Sequence, residues 1–242
     1  MSKTVRVANY QEWLYGNYRS GFKTNLPSEG YGVARLDELY GSFLEFKPDR
    51  VLELGAGTGE FVAWLKLRGV SHAWGVDRSP EQVLGAASCG RDVLEEDLFD
   101  ALAACADESL DGLAALDLLE HLTRDQLVRL ARESSRVLMP GGVFLIQVPN
   151  AHALRVAPIW ASDLTHETLL SDDTLAQLFT PVGMKLERVW GVTPGFGKPS
   201  RALRTILWKI VSVVPRLIDW LEAGRPVRIY ERVLCAVVRK SS

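Results

Sequence analysis

One segment constrains this chain more than any other. Val51-Leu52-Glu53-Leu54 is a short apolar run carrying one acid, and Gly55-Ala56-Gly57-Thr58-Gly59 leads directly from it into a helical stretch opened by Glu60-Phe61. An apolar strand that turns through alternate glycines into a helix begins a βαβ unit, because glycine tolerates a left-handed backbone and leaves bare main chain for a ligand to approach. The helix that follows offers unpaired N–H groups. The next apolar run, Ala73–Val76, ends in Asp77, 18 residues after Gly59. An acid at the tip of the second strand of an open α/β sheet is placed to accept hydrogen bonds from ribose hydroxyls. A ligand-free tight turn explains the glycines but not the acid. A dinucleotide explains the acid, yet the spacing is Gly-x-Gly-x-Gly rather than Gly-x-Gly-x-x-Gly, and Glu53 sits badly with a pyrophosphate. A ligand with a ribose, a positive centre and no phosphate meets both objections.

Around this segment, strand-like runs at Val51–Leu54, Ala73–Val76, Gly112–Leu116 and Val143–Val148 alternate with amphipathic stretches at about 59–68, 80–88, 97–105 and 124–138. Such alternation predicts a parallel sheet with helices on both faces. Met139-Pro140-Gly141-Gly142 is expected to stop the fourth helix and turn the chain into the next strand. Later come a helix near 171–180, a strand near 184–192, a Gly/Pro loop over 194–199, an amphipathic helix at about 201–222 that is kinked or broken near Pro215, and a last strand near 228–238. No repeat or linker divides the 242 residues. One domain is expected: an aromatic N-terminal lid over 1–48 (Tyr10, Trp13, Tyr15, Tyr18, Tyr31), a ligand-binding core over 49–150 and an acceptor-side segment over 151–242.

Glu53-Leu54-Gly55-Ala56-Gly57-Thr58-Gly59 resembles motif I of the class I S-adenosylmethionine-dependent methyltransferases. The likeness continues at Asp77, at Glu96-Asp97-Leu98, at Asp117-Leu118-Leu119-Glu120-His121 and at Leu138-Met139-Pro140-Gly141-Gly142, and covers about residues 45–150 in order. It implies a Rossmann-like, seven-stranded, mostly parallel sheet ending in an antiparallel hairpin, with S-adenosylmethionine as cofactor and S-adenosylhomocysteine as product. The cofactor residues it implies are Glu53, Gly55, Ala56, Gly57, Gly59, Asp77, Arg78, Asp97, Leu98, Leu116 and Asp117.

The resemblance also narrows the acceptor. Leu116-Asp117-Leu118-Leu119 is not the Asn/Asp-Pro-Pro-aromatic signature of enzymes that methylate adenine or glutamine amides, and none of Cys89, Cys105 and Cys235 follows a proline as in cytosine-C5 enzymes. The stretch from Asn150 to Gly183, with Asp163-Leu164-Thr165-His166-Glu167, resembles methyltransferases of bacterial polysaccharide and glycolipid assembly. A sugar or glycolipid hydroxyl is therefore the expected acceptor, an amine less so. The alternatives are a quinone or other small aromatic metabolite, and a cofactor-binding subunit without turnover. Methyl transfer to a hydroxyl is an in-line displacement that needs the acceptor aligned and its proton removed. His166 is the expected base, oriented by Asp163 or Glu167, with His121 as the second candidate. Asp117, His121 and His166 have no diagnostic metal-ligand spacing, so no metal is expected.

Charge is uneven. Lys198 to Ser242 holds ten Lys and Arg against three acids, a net +7, which leaves −9 on the preceding residues of a chain whose total is −2. A near-neutral chain argues against nucleic acid as partner. Three cysteines give neither a disulfide framework nor a zinc knuckle, and the polar start of the chain shows no signal peptide, so a cytoplasmic protein is expected. The helix over 201–222 has a wide apolar side and a basic stripe of Arg201, Arg204, Lys209 and Arg216. It covers the core, forms a homodimer interface, or lies in the plane of an anionic membrane.

Overall fold

The computed structural model describes residues 32–193, 195, 199–224 and 227–241. The expected lid falls mostly outside them; its described part is a helix, α1 (Val33–Tyr40), and a 3-10 turn (Gly41–Phe46). Then β1 (Arg50–Leu54), α2 (Glu60–Leu67), β2 (His72–Asp77), α3 (Pro80–Ser88), β3 (Val93–Glu95), α4 (Leu98–Ala104), β4 (Leu110–Leu116), α5 (Arg124–Val137) and β5 (Leu138–Pro149) follow in strict alternation. The rest comprises α6 (Ala157–Trp160), α7 (Asp172–Phe179), β6 (Met184–Gly191), α8 (Pro199–Val211), α9 (Val213–Ala223) and β7 (Val233–Lys240).

The strands form one sheet in the order β3-β2-β1-β4-β5-β7-β6. The first five pair in parallel, and β7 runs antiparallel between β5 and β6. The expected seven-stranded sheet and its closing hairpin are both present. The central strands are buried on both faces, as helix-covered parallel strands must be. One apolar cluster gathers α4, α5 and α7, with Phe144 edge-on to Phe179; the other gathers α1 and α2 around Trp64, Tyr40 and Phe43. The order in which strands are laid down reverses between β1 and β4, which opens a crevice at their carboxyl ends.

Three boundaries differ from expectation, each for a local reason. Strand β5 begins at Leu138, because Leu138 pairs with Leu110 ahead of the irregularity at Pro140-Gly141-Gly142. The long basic helix breaks at Ser212 rather than Pro215, since Pro215 sits in the first turn of α9, where its missing N–H removes no helical bond. Strand β7 starts at Val233 and not near 228, because the carbonyls of Ile229, Glu231 and Arg232 accept hydrogen bonds from Asn150 instead of a neighbouring strand (2.8–2.9 Å).

Candidate functional site

The crevice holds a cleft of about 260 Å³, walled by the loops after β1, β2, β3 and β4 and by Leu36 and Tyr40 of α1. Gly55, Gly57 and Gly59 all adopt positive φ. Gly59 caps α2, and a Cβ there would lie 2.7 Å from Val93, so both its conformation and its packing demand glycine. Asp77 ties the loop to β2: one carboxylate oxygen accepts from Gly57 N–H and the other from Ser79 N–H, each at 2.8 Å. Asp97 caps α4 by accepting from Phe99 N–H (2.8 Å). Asp117, at the end of β4, takes φ +55 and is held by Gln147, whose backbone carbonyl accepts its N–H and whose side-chain amide donates to its carboxylate (both 3.0 Å). Gln147 in turn accepts from Tyr40 Oη at 2.7 Å.

Of the residues expected to hold the cofactor, Glu53, Gly55, Ala56, Gly57, Asp77, Arg78, Asp97, Leu98, Leu116 and Asp117 line this one cleft, whereas Gly59 supports it from behind. Tyr40, Gln82 and Gln147 join them without having been expected, because nothing in their sequence neighbourhoods marks them as site residues.

Two buried carboxylates define the electrostatics. Glu53 is 3% exposed, and its Oε2 has no hydrogen-bond partner. Burial, with smaller repulsion from Asp77 and Glu60, holds its carboxyl well above the ordinary value. Glu120 is 2% exposed, with an equally unpartnered Oε2, and burial followed by repulsion from Asp117 and Asp163 raises it likewise. The orphan Glu53 oxygen beside the glycine loop suits a cation, and Asp77 at the rim suits a diol. This donor set fits S-adenosylmethionine, which carries both a cationic group and a ribose.

The histidines are arranged otherwise than expected. His121 lines the cleft, while His166 stands behind it with ring centroids 4.9 Å apart. Asp163 does not orient His166. Its Oδ1 accepts from Thr165 N–H (2.9 Å) and from Thr165 Oγ1 (2.5 Å), and Thr165 Oγ1 lies 2.7 Å from His121 Nδ1. The hydroxyl has one proton and gives it to the carboxylate, so it accepts from Nδ1–H of His121 and the ring's lone pair falls on Nε2. Glu167 makes no side-chain bond to His166; its backbone N–H is bonded to the Glu120 carbonyl. His166 is oriented by Trp160, which stacks on it at 5.0 Å and accepts from its Nδ1 at 3.0 Å. Thr165, 2% exposed, is the link sequence reasoning missed.

Comparison with known proteins agrees with this geometry. A family model described as a methyltransferase domain matches residues 31–189, well over half of the chain. No curated protein matches. Solved structures with the same fold include a S-adenosylmethionine-dependent methyltransferase from Archaeoglobus fulgidus (TM-score 0.63, 17% identity, 95% of this chain and 99% of that one). Another, from Mesorhizobium loti, gives a TM-score of 0.58 at 18% identity over 86% of this chain and 100% of that one. The cyclopropane synthase MmaA2 from Mycobacterium tuberculosis gives 0.58 at 15% identity over 90% and 87%. At these identities the likeness is one of fold. The chain belongs to the methyltransferase-domain family, the S-adenosylmethionine-dependent class that its glycine loop and ribose acid resemble.

Proposed function

We propose that this methyltransferase acts on a hydroxyl of a sugar or glycolipid precursor presented at an anionic membrane surface. The observation that carries the acceptor class is the outer face of α8 and α9. Their large aliphatic side chains from Leu203 to Leu221, and Trp220, are each at least half exposed, whereas Trp208 is partly covered and the polar Thr205, with Ser212 between the helices, is buried. A helix pair turned inside out in this way needs an apolar partner. Arg204 and Lys209, exposed beside that face, match an anionic lipid surface. The pair joins the cleft through Gly195, whose carbonyl accepts from Thr205 Oγ1 (3.2 Å) and which packs on Arg35 and Glu38 of α1, the helix that supplies Leu36 and Tyr40 to the cleft wall. A lipid-linked acceptor held there enters beside the cofactor. Among the described residues no helix is long and apolar enough to cross a membrane.

S-adenosylmethionine supplies a methyl group on a sulfonium. Glu53 and Asp77 hold the cofactor, and the acceptor hydroxyl gives up its proton at the site of the His121–His166 pair, of which His121 is at the cleft wall. The hydroxyl oxygen takes the methyl in line as the carbon–sulfur bond breaks. Transfer of labelled methyl to a glycolipid fraction tests the reading. His121→Ala is expected to lower turnover by about 100-fold or more with cofactor affinity retained. Label appearing in a quinone or aromatic fraction and in no glycan would overturn it.

A further inference from the structure

Behind the cleft, Glu120, His121 and His166 each offer one ligand atom, and the three atoms lie within 4.8 Å of one another. We infer that these residues form a binding site for one divalent first-row cation, Zn²⁺ being the ion that the donor set suits best.

Four observations converge. Glu120 Oε2 is buried and has no hydrogen-bond partner, so the carboxylate that belongs to the cluster carries an uncompensated acceptor. The Thr165 relay protonates Nδ1 of His121 and puts its lone pair on Nε2. The Trp160 carbonyl 3.0 Å from Nδ1 of His166 does the same for the second ring. A coordinating imidazole characteristically donates its other N–H to a carbonyl, carboxylate or similar acceptor, which fixes ring and tautomer; here both rings do so, and the His121 relay ends on Asp163. Finally, two imidazoles and one carboxylate are the protein ligands of a catalytic zinc with an open fourth position. Bond lengths of roughly 2.0–2.2 Å place tetrahedral donors about 3.5 Å apart, so small side-chain rotations complete the site. Asp117 is not a ligand in this arrangement; Gln147 holds it on the cofactor side.

His121 is the ligand that also lines the cleft, so an acceptor held there would reach the open position of a bound ion. A hydroxyl oxygen bound there loses its proton to solvent at a lowered pKa, as metal-bound water does. The alkoxide oxygen then bonds to the methyl carbon while the carbon–sulfur bond breaks and its electron pair stays on sulfur, giving a thioether. This role, though not binding of the ion, rests on the function proposed above.

The test is calorimetric titration of chelator-stripped full-length protein with ZnCl₂ in the presence of S-adenosylhomocysteine, with Co²⁺ absorption as an independent readout of coordination. One equivalent per chain is expected. Glu120→Gln and His166→Asn should each weaken binding by about tenfold or more and alter the Co²⁺ bands, with S-adenosylhomocysteine affinity unchanged. His166 is half-buried, so its replacement should keep the fold even where Glu120→Gln does not. His152→Asn, in the separate cluster with Asp172 and Asp173, should leave binding intact. Absence of binding, binding indifferent to Glu120 and His166, or loss in His152→Asn would each overturn the inference. Tight binding at this site with no methyl transfer to any glycan would overturn the acceptor reading alone.

Discussion

A buried carboxylate with an unbonded oxygen costs stability until a cation reaches it, and Glu53 is such a group. Its carboxyl titrates well above the ordinary 4.5 in the folded chain. The folded state therefore keeps a proton that the unfolded chain has lost, and cofactor-free stability falls as pH rises from the ordinary carboxylate value through the raised one. Glu53→Gln should flatten that fall, leaving the part of the same sign due to Glu120. It should stabilise the cofactor-free protein by about 1–3 kcal/mol while weakening S-adenosylmethionine by about tenfold or more. Thermal melts across pH, with and without cofactor, check both; a destabilised variant would contradict the first. Residues of this kind were legible in the sequence because an acid inside an apolar strand is anomalous. Thr165 and Gln147 were not, since a threonine or glutamine reveals its partner only after strands distant in sequence are brought together.

Among the elements, β2 and the glycine loop show how closely this fold packs its binding turn. A Cβ on Gly75 would lie 2.3 Å from that of Ala56, whose N–H bonds to the Val76 carbonyl at 2.9 Å. Gly75→Ala should force the loop away from β2, costing about 1–3 kcal/mol in denaturant unfolding and loosening cofactor binding. Stability and affinity both unchanged would show that the loop tolerates displacement. The alternation of strands and helices was readable because helix-covered parallel strands are continuous apolar runs. β3 was missed as a run of its own: it is three residues long, and only Val93 is buried. The orientation of α8 was also illegible, because an apolar stripe looks the same in sequence whether it meets a core or a membrane.

At the scale of the whole molecule, an acidic body carries a basic C-terminal segment whose helices show apolar side chains to the outside. Co-sedimentation with vesicles should rise with anionic lipid, fall between low and physiological salt, and drop when Arg201, Arg204, Lys209 and Arg216 are replaced by Gln, each charge contributing up to about 1 kcal/mol. Equal binding to neutral and anionic vesicles, with a sharply destabilised Leu207→Asp variant, would instead assign that face to a protein partner such as a second copy. All of this depends on the cleft holding S-adenosylmethionine through its ribose and its ammonium. Calorimetric titration of the cofactor into wild type and Asp77→Ala tests that claim most directly. The expected result is one site per chain that NAD does not fill, weakened about tenfold or more in the variant, which loses a charged acceptor for the ribose hydroxyls; an affinity indifferent to Asp77, or no binding at all, would contradict it.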